Sequence, residues 1–244
     1  MKFTLPLLLS LSTLVLTHPL AERAADTVDE TQVTTTLHLA TTSHFFNEEA
    51  VAVAAADTDT VVSTENGLST DACKPVIVIF ARGTTEEGNI GLRVGPPLIA
   101  SLRSALTTAK VTMQGVDYSA NVLGYLAGGD NAGSETLANL TTYASNKCPK
   151  AKLVIGGYSQ GAQLVHKGVK LLSAAVTAKI AAVVVFGDPD NGQAVGNVAS
   201  SKVWSICHEY DIVCSGFGAF VTHLTYVNDV PTASAFIVKA VGAV

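Results

Sequence analysis

Apolar positions in the C-terminal two-thirds of the chain fall into five short, nearly unbroken runs, at 76–80, 111–116, 153–156, 181–186 and 202–206. They are rich in β-branched residues, the pattern of strands covered on both faces. Longer mixed segments separate them, and helices are predicted near 91–107, 134–147, 160–178 and 232–242. Ser134 with Leu137 and Leu140, and Leu164 with Gly168, Leu171 and Leu172, stand at helical spacing. Alternating strands and helices predict a parallel, doubly wound α/β sheet, in which function gathers at the carboxyl ends of the strands. No repeats are visible.

Composition divides the 244 residues into three parts. Residues 1–21 read as a secretory signal: Lys2, then Leu7-Leu8-Leu9 and Leu14-Val15-Leu16, then small and turn residues near Ala21. That apolar run is too short and too interrupted by Ser and Thr to span a bilayer. Residues 22–72 carry ten Asp/Glu against one basic residue, Arg23, with many Thr and no Cys. This composition predicts a disordered segment or a propeptide. Residues 73–244, with ten acidic and thirteen basic side chains, are enough for one well-buried domain. The basic residues are scattered, so nucleic acid is excluded as a partner, and no integral membrane association is expected.

An even cysteine count behind a secretory signal predicts two disulfides. Cys207 and Cys214 would close a small loop, and Cys73 and Cys148 each stand just before a strand-like run, so the pairs 73–148 and 207–214 are expected. No Cys-x-x-Cys or His pair supplies tetrahedral zinc spacing. No metal or cofactor is expected.

Gly157-Tyr158-Ser159-Gln160-Gly161 follows one predicted strand and opens a predicted helix. A serine between two glycines at such a turn fits a nucleophile elbow, since the glycines admit close backbone around a strained residue. The helix behind it aims N–H groups and its positive dipole end at a developing oxyanion. A serine nucleophile needs a base, and in this arrangement the chain order is serine, acid, histidine. His18, His38 and His44 lie in the N-terminal segments, and His166 lies roughly 10 Å down the helix from Ser159. His208 sits inside the small cysteine loop. His223, in a loop before the last helix, is the best-placed base. For the acid, Asp188 follows a strand end and Asp211 lies within the Cys207–Cys214 loop. Rigidity favours Asp211, but position alone leaves both open.

The segments 157–161, 207–214 and Ala81-Arg82-Gly83-Thr84-Thr85-Glu86 together resemble the cutinase family of secreted serine esterases. The resemblance implies a three-layer α/β-hydrolase-like fold with a central, mostly parallel five-stranded sheet and no cap domain. It implies Ser159 as nucleophile, Asp211 as acid and His223 as base, with Thr84 and Gln160 forming the oxyanion hole. The family's two disulfides agree with the pairing above. Gly187-Asp188-Pro189-Asp190 is similar to the acetylxylan esterase relatives, so a polysaccharide deacetylase is the alternative. A fold-retaining, non-catalytic binding protein is a further one.

Too few residues separate the strand ending at Phe186 from the next to build a cap, so Ser159 should be open to polymeric esters. Leu123, Tyr125 and Leu126, and Phe217, Phe220 and Val221, lie in two apolar loops expected to flank it and bind acyl chains. The expected substrate is therefore an aliphatic polyester or a short-to-medium acyl ester, hydrolysed outside the cell by a monomer. Asn139-Leu140-Thr141 is a glycosylation sequon.

Overall fold

The computed structural model describes residues 62–244. The expected signal peptide, and the acidic segment as far as residue 61, lie outside the described residues. Helices and strands follow in the order α1 (Gly67–Thr70), β1 (Val76–Ala81), α2 (Gly95–Leu106), β2 (Val111–Gly115), α3 (Val122–Leu126) and α4 (Asn131–Lys147). After these come β3 (Lys152–Tyr158), α5 (Gln160–Lys170), α6 (Ala174–Ala178), β4 (Ile180–Phe186), β5 (Val203–Ile206), α7 (Phe220–His223) and α8 (Val230–Val241). The five strands form one parallel sheet in the order β2-β1-β3-β4-β5.

The sheet is central because its strands are apolar on both sides. Val76, Val78 and Phe80 of β1 point into one core with Leu98 and Leu102 of α2 and Ile237 of α8. Ile77, Ile79 and Ala81 point into the other with Leu137 of α4 and Leu164 and Val165 of α5. Alternate residues of one strand thus feed two cores, and helix–sheet–helix layering follows. All six side chains of β1 are buried.

Three elements differ from the pattern-based expectation. The helix expected over 160–178 breaks in two because Ser173 adopts an extended backbone and its hydroxyl accepts from the Val176 N–H, capping α6. Residues 122–126, expected as a loop, form α3, capped by Asn121 through the Gly124 N–H at 2.7 Å. Phe220–His223 likewise is a single helical turn.

The folded unit also begins before residue 73, which corrects the boundary drawn on composition. Leu68 is buried, and Glu65 holds Arg103 through two bonds of 2.6 and 3.0 Å. Asn66 bonds to Asn89 and Gln114, and Asp71 accepts from Thr112 at 2.6 Å and pairs with Lys74 at 2.8 Å. A tally of acidic residues does not reveal this, because each of these polar groups meets a specific partner distant in sequence. Both expected disulfides form, with Cα–Cα separations of 5.5 Å for Cys73–Cys148 and 5.8 Å for Cys207–Cys214.

Candidate active site

Ser159 stands between β3 and α5 with φ 57° and ψ −121°, a strained conformation for a residue with a side chain. Two glycines make it attainable. A Cβ on Gly157 would collide with the Gly161 carbonyl, and one on Gly161 with the Ala81 carbonyl. The serine is almost buried but reaches the floor of a cleft of about 1030 Å³.

His223 lines the same cleft. Its Nδ1 lies 2.7 Å from Asp211 Oδ2, and its Nε2 is buried with no hydrogen-bond partner among the described residues. The ring stacks on Tyr158 at 5.1 Å between centroids, and the Tyr158 hydroxyl donates to the His223 carbonyl at 2.8 Å. Space for the imidazole comes from Gly187, where any Cβ would strike the ring. Burial lowers the His223 pKa below the ordinary imidazole value, against the opposing pull of Asp211. The ring is therefore neutral at neutral pH, as a general base must be.

Asp211 is fully buried inside the Cys207–Cys214 loop. Burial alone would raise its pKa. Hydrogen bonds from Tyr226 and His223 to Oδ2, and from the Val213 N–H to Oδ1, outweigh that and hold the carboxyl below its ordinary value. The alternative acid, Asp188, is elsewhere engaged: its Oδ2 lies 2.8 Å from His166 Nε2 in a buried pair linking the end of β4 to α5. Asp190 approaches the same pair. His208 is also committed, with Nε2 2.6 Å from Asp229 and Nδ1 3.0 Å from Thr225 Oγ1.

Opposite the elbow, the 82–86 loop is held rigid. Arg82 donates to the carbonyls of Glu86, Val116 and Tyr118, and Glu86 accepts from the N–H groups of Gly83, Leu92 and Arg93. Thr84 and Gln160 meet here, the Gln160 amide donating to Thr84 Oγ1 at 2.8 Å and to the Asn121 carbonyl at 2.9 Å. With Oγ1 accepting that bond, the Thr84 hydroxyl proton is free for a ligand. Gln160 opens α5 and so has no carbonyl one turn back for its own N–H. Among the described residues neither backbone N–H donates to a protein carbonyl. Glu86 and Arg82 were not singled out by sequence as supports. The clue was their place in the Arg-Gly-Thr-Thr-Glu run.

Of the six apolar residues expected around the cleft, Tyr125 and Phe220 line it. Leu123, Leu126, Phe217 and Val221 are exposed outside the lining, which corrects the expectation that both stretches face an acyl chain as a whole. The cause is helical geometry. Positions i and i+3 share a face, so Val122 turns to the cleft with Tyr125, and Phe220 with His223, while Leu123, Leu126 and Val221 point away; Phe217 precedes α7 and packs edge-on against Tyr210 at 5.6 Å. Leu92, Ile212, Val213, Leu224 and Val227 complete the apolar wall.

An open parallel sheet, helices on both faces and a serine on a strained strand–turn–helix define an α/β-hydrolase-like protein, with no cap domain among the described residues. The profile of the family described as Cutinase matches residues 72–241, and the chain belongs to the cutinase family. It is 54% identical to a cutinase of Botryotinia fuckeliana over 172 residues, 70% of this chain and 85% of that one. A cutinase of Monilinia fructicola is 50% identical over 173 residues, 70% and 86% of the two chains. Among solved structures, Trichoderma reesei cutinase in complex with a phosphonate inhibitor superposes with TM-score 0.69 at 41% identity, covering 75% of this chain and 82% of that one. An acetyl xylan esterase structure shares the fold, with TM-score 0.60 at 21% identity over 70% of this chain and all of that one. The identity therefore lies with the cutinases rather than with the deacetylases, and the chain is a carboxylic ester hydrolase of cutinase type.

Proposed function

We propose that the protein is a secreted serine esterase that hydrolyses aliphatic polyester, and short-to-medium acyl esters, through an acyl-enzyme. Ser159 is the nucleophile, His223 the base and Asp211 the acid. His223 Nε2 takes the Ser159 proton as Oγ attacks the ester carbonyl carbon, and the carbonyl π electrons move onto oxygen. The backbone N–H groups of Thr84 and Gln160, with the Thr84 hydroxyl, stabilise that oxyanion, each donor contributing about 3–4 kcal/mol. The imidazolium then protonates the departing alcohol as the C–O bond breaks. Water repeats the sequence on the acyl-serine, releasing the acid and restoring Ser159. Asp211 remains ionised throughout and stabilises the imidazolium.

One observation carries this reading: Asp211 Oδ2 bonds Nδ1 of His223, leaving a buried, unpartnered Nε2 in the cleft that Ser159 also lines. No hydrogen bond joins Ser159 Oγ to His223 Nε2 in the structure, and catalytic contacts of this kind often tighten only in the complex with substrate. A phosphonate occupies the related Trichoderma reesei cutinase, and phosphonates imitate the tetrahedral species that such a serine would form.

Substrate choice follows from the cleft, which is apolar and open. Val122, Tyr125, Leu92, Ile212 and Phe220 suit a single acyl chain, and the outward Leu123, Leu126, Phe217 and Val221 form an apolar rim for a polymer surface. Export by the 1–21 signal and action as a monomer are part of the proposal. Asn139 is exposed on α4, as glycosylation would require. The test compares p-nitrophenyl acetate, butyrate and hexanoate. Turnover of the longer esters that disappears in Ser159→Ala is expected, and fast acetyl turnover with almost none of the longer chains contradicts the substrate assignment.

A further inference from the structure

Tyr226 has no part in the mechanism above, yet its hydroxyl makes the shortest hydrogen bond to the Asp211 carboxylate, shorter than those of His223 and the Val213 N–H. It is buried, and its hydroxyl donates to Asp211 Oδ2 at 2.6 Å, the same oxygen that His223 Nδ1 reaches at 2.7 Å. The hydroxyl in turn accepts from the His208 backbone N–H at 3.0 Å. With one donor already on it, the phenol oxygen must aim its own proton at the carboxylate. Its ring is fixed by stacking on His208 at 4.1 Å, and His208 is pinned by Asp229 and Thr225. The whole assembly forms one line: Asp229, His208, Tyr226, Asp211, His223.

We infer that Tyr226 is a positioning residue for the proposed triad: its hydroxyl shares the carboxylate oxygen with His223, fixing the direction of Asp211 and lowering its basicity toward the imidazole. The inference rests on the functional reading above and deepens it. A second donor on Oδ2 draws off part of the negative charge, so the proton between Asp211 and His223 stays on Nδ1 when the imidazolium forms. A carboxylate relieved of that donor would be a stronger acceptor and would hold His223 protonated to higher pH. Burial and the Asp211 charge push the Tyr226 phenol well above its ordinary value, so it remains a donor at every working pH.

Other groups facing this line are accounted for. Tyr158, Arg93 and Glu86 act on His223 from the elbow and the 86–93 loop, while Asp229 and His208 act on Tyr226 from below. Of these groups only His208 touches the Tyr226 hydroxyl, so in Tyr226→Phe its backbone N–H alone loses an acceptor.

The experiment uses the full chain, Tyr226→Phe, and a form with 3-fluorotyrosine at 226, a slightly stronger donor of nearly the same size. For Tyr226→Phe, kcat is expected to fall ~3- to 10-fold with KM within about twofold, equivalent to losing less than one tenfold step of transition-state stabilisation. The acid limb of kcat/KM should move up by ~0.5–1 pH unit, and down or not at all with 3-fluorotyrosine. Proton NMR at low pH supplies a readout independent of turnover: the deshielded His223 Nδ1–H resonance should move further downfield in Tyr226→Phe and upfield with 3-fluorotyrosine. A wild-type limb and an unmoved resonance in Tyr226→Phe overturn the inference and leave Tyr226 a packing residue. Should that variant not fold, the 3-fluorotyrosine resonance decides, and no movement overturns it. A wild-type enzyme without Ser159-dependent ester turnover sinks the functional reading instead, while the resonance still tests the hydrogen-bonded line.

Discussion

His223 draws together what single residues do here, because its protonation state governs the proposed reaction. Burial depresses its pKa, so the neutral base is present at and somewhat below the ordinary imidazole range. The acid limb of kcat/KM is therefore expected below pH ~6.5, the usual value for histidine. The sign for stability is the same: a histidine with a depressed folded pKa costs stability as pH falls, since the buried ring must then charge. Asp211→Asn should reduce kcat about 10³–10⁴-fold without loss of fold, by leaving the wrong imidazole tautomer. Kinetics on variants with unchanged circular dichroism check both. The elbow was legible in sequence because Gly157 and Gly161 are demanded locally by Ser159's strained backbone. The choice of acid was not legible by position, since Asp188 and Asp211 both follow strand ends. The resemblance implied Asp211, and the bond of Asp188 to His166 supports that proposed assignment.

At the scale of elements, that His166–Asp188 pair ties α5 to the end of β4. Burial alone would lower the His166 pKa, but the Asp188 bond and charge, with Asp190, outweigh it and raise it. A raised histidine contributes stability that is fully present below the ordinary imidazole value and is lost as pH rises through the raised one. Asp188→Asn should thus cost about 3–5 kcal/mol, as breaking one side of a buried pair does. It should also flatten that part of the stability–pH curve, as urea unfolding at a series of pH values will record, with kcat per folded molecule retained. Strand positions were readable because β1, β3 and β4 are apolar on both faces. The short helices α3 and α7 were not, since each is little more than a turn and is set by local capping and packing. That failure displaced three of the six residues expected to bind an acyl chain, Leu123, Leu126 and Val221. Val122→Gln and Phe220→Gln, on the inward faces, should raise KM for hexanoyl esters several-fold more than for acetyl. Leu123→Gln should leave soluble-ester kinetics unchanged and weaken action on an emulsified polyester.

For the molecule as a whole, the sheet order β2-β1-β3-β4-β5 brings the carboxyl ends of β1, β3 and β4 together, and the oxyanion loop, elbow and Gly187 follow from them directly. The Cys207–Cys214 loop then leans Asp211 over that rim. The Cys73–Cys148 bond closes a separation of 75 residues between the starts of β1 and β3, far from the cleft. Removing it by the paired change Cys73→Ala, Cys148→Ala should cost about 2–5 kcal/mol of stability while kcat stays within twofold, which denaturant unfolding and initial rates can establish. Composition drew the boundary of the folded domain at residue 73. It misplaced residues 62–72 because their polar side chains pair with Arg103, Asn89, Gln114 and Thr112, contacts that no count of charges contains.

The most direct check is stoichiometric labelling of the intact protein with a p-nitrophenyl alkylphosphonate, followed by peptide mass mapping. One equivalent of p-nitrophenol released per chain, with the adduct on Ser159 and labelling slowed at least a thousandfold in His223→Ala, is the result expected of a serine activated by that imidazole. Adduct formation at another residue, or labelling of Ser159 at the same rate without His223, would contradict it.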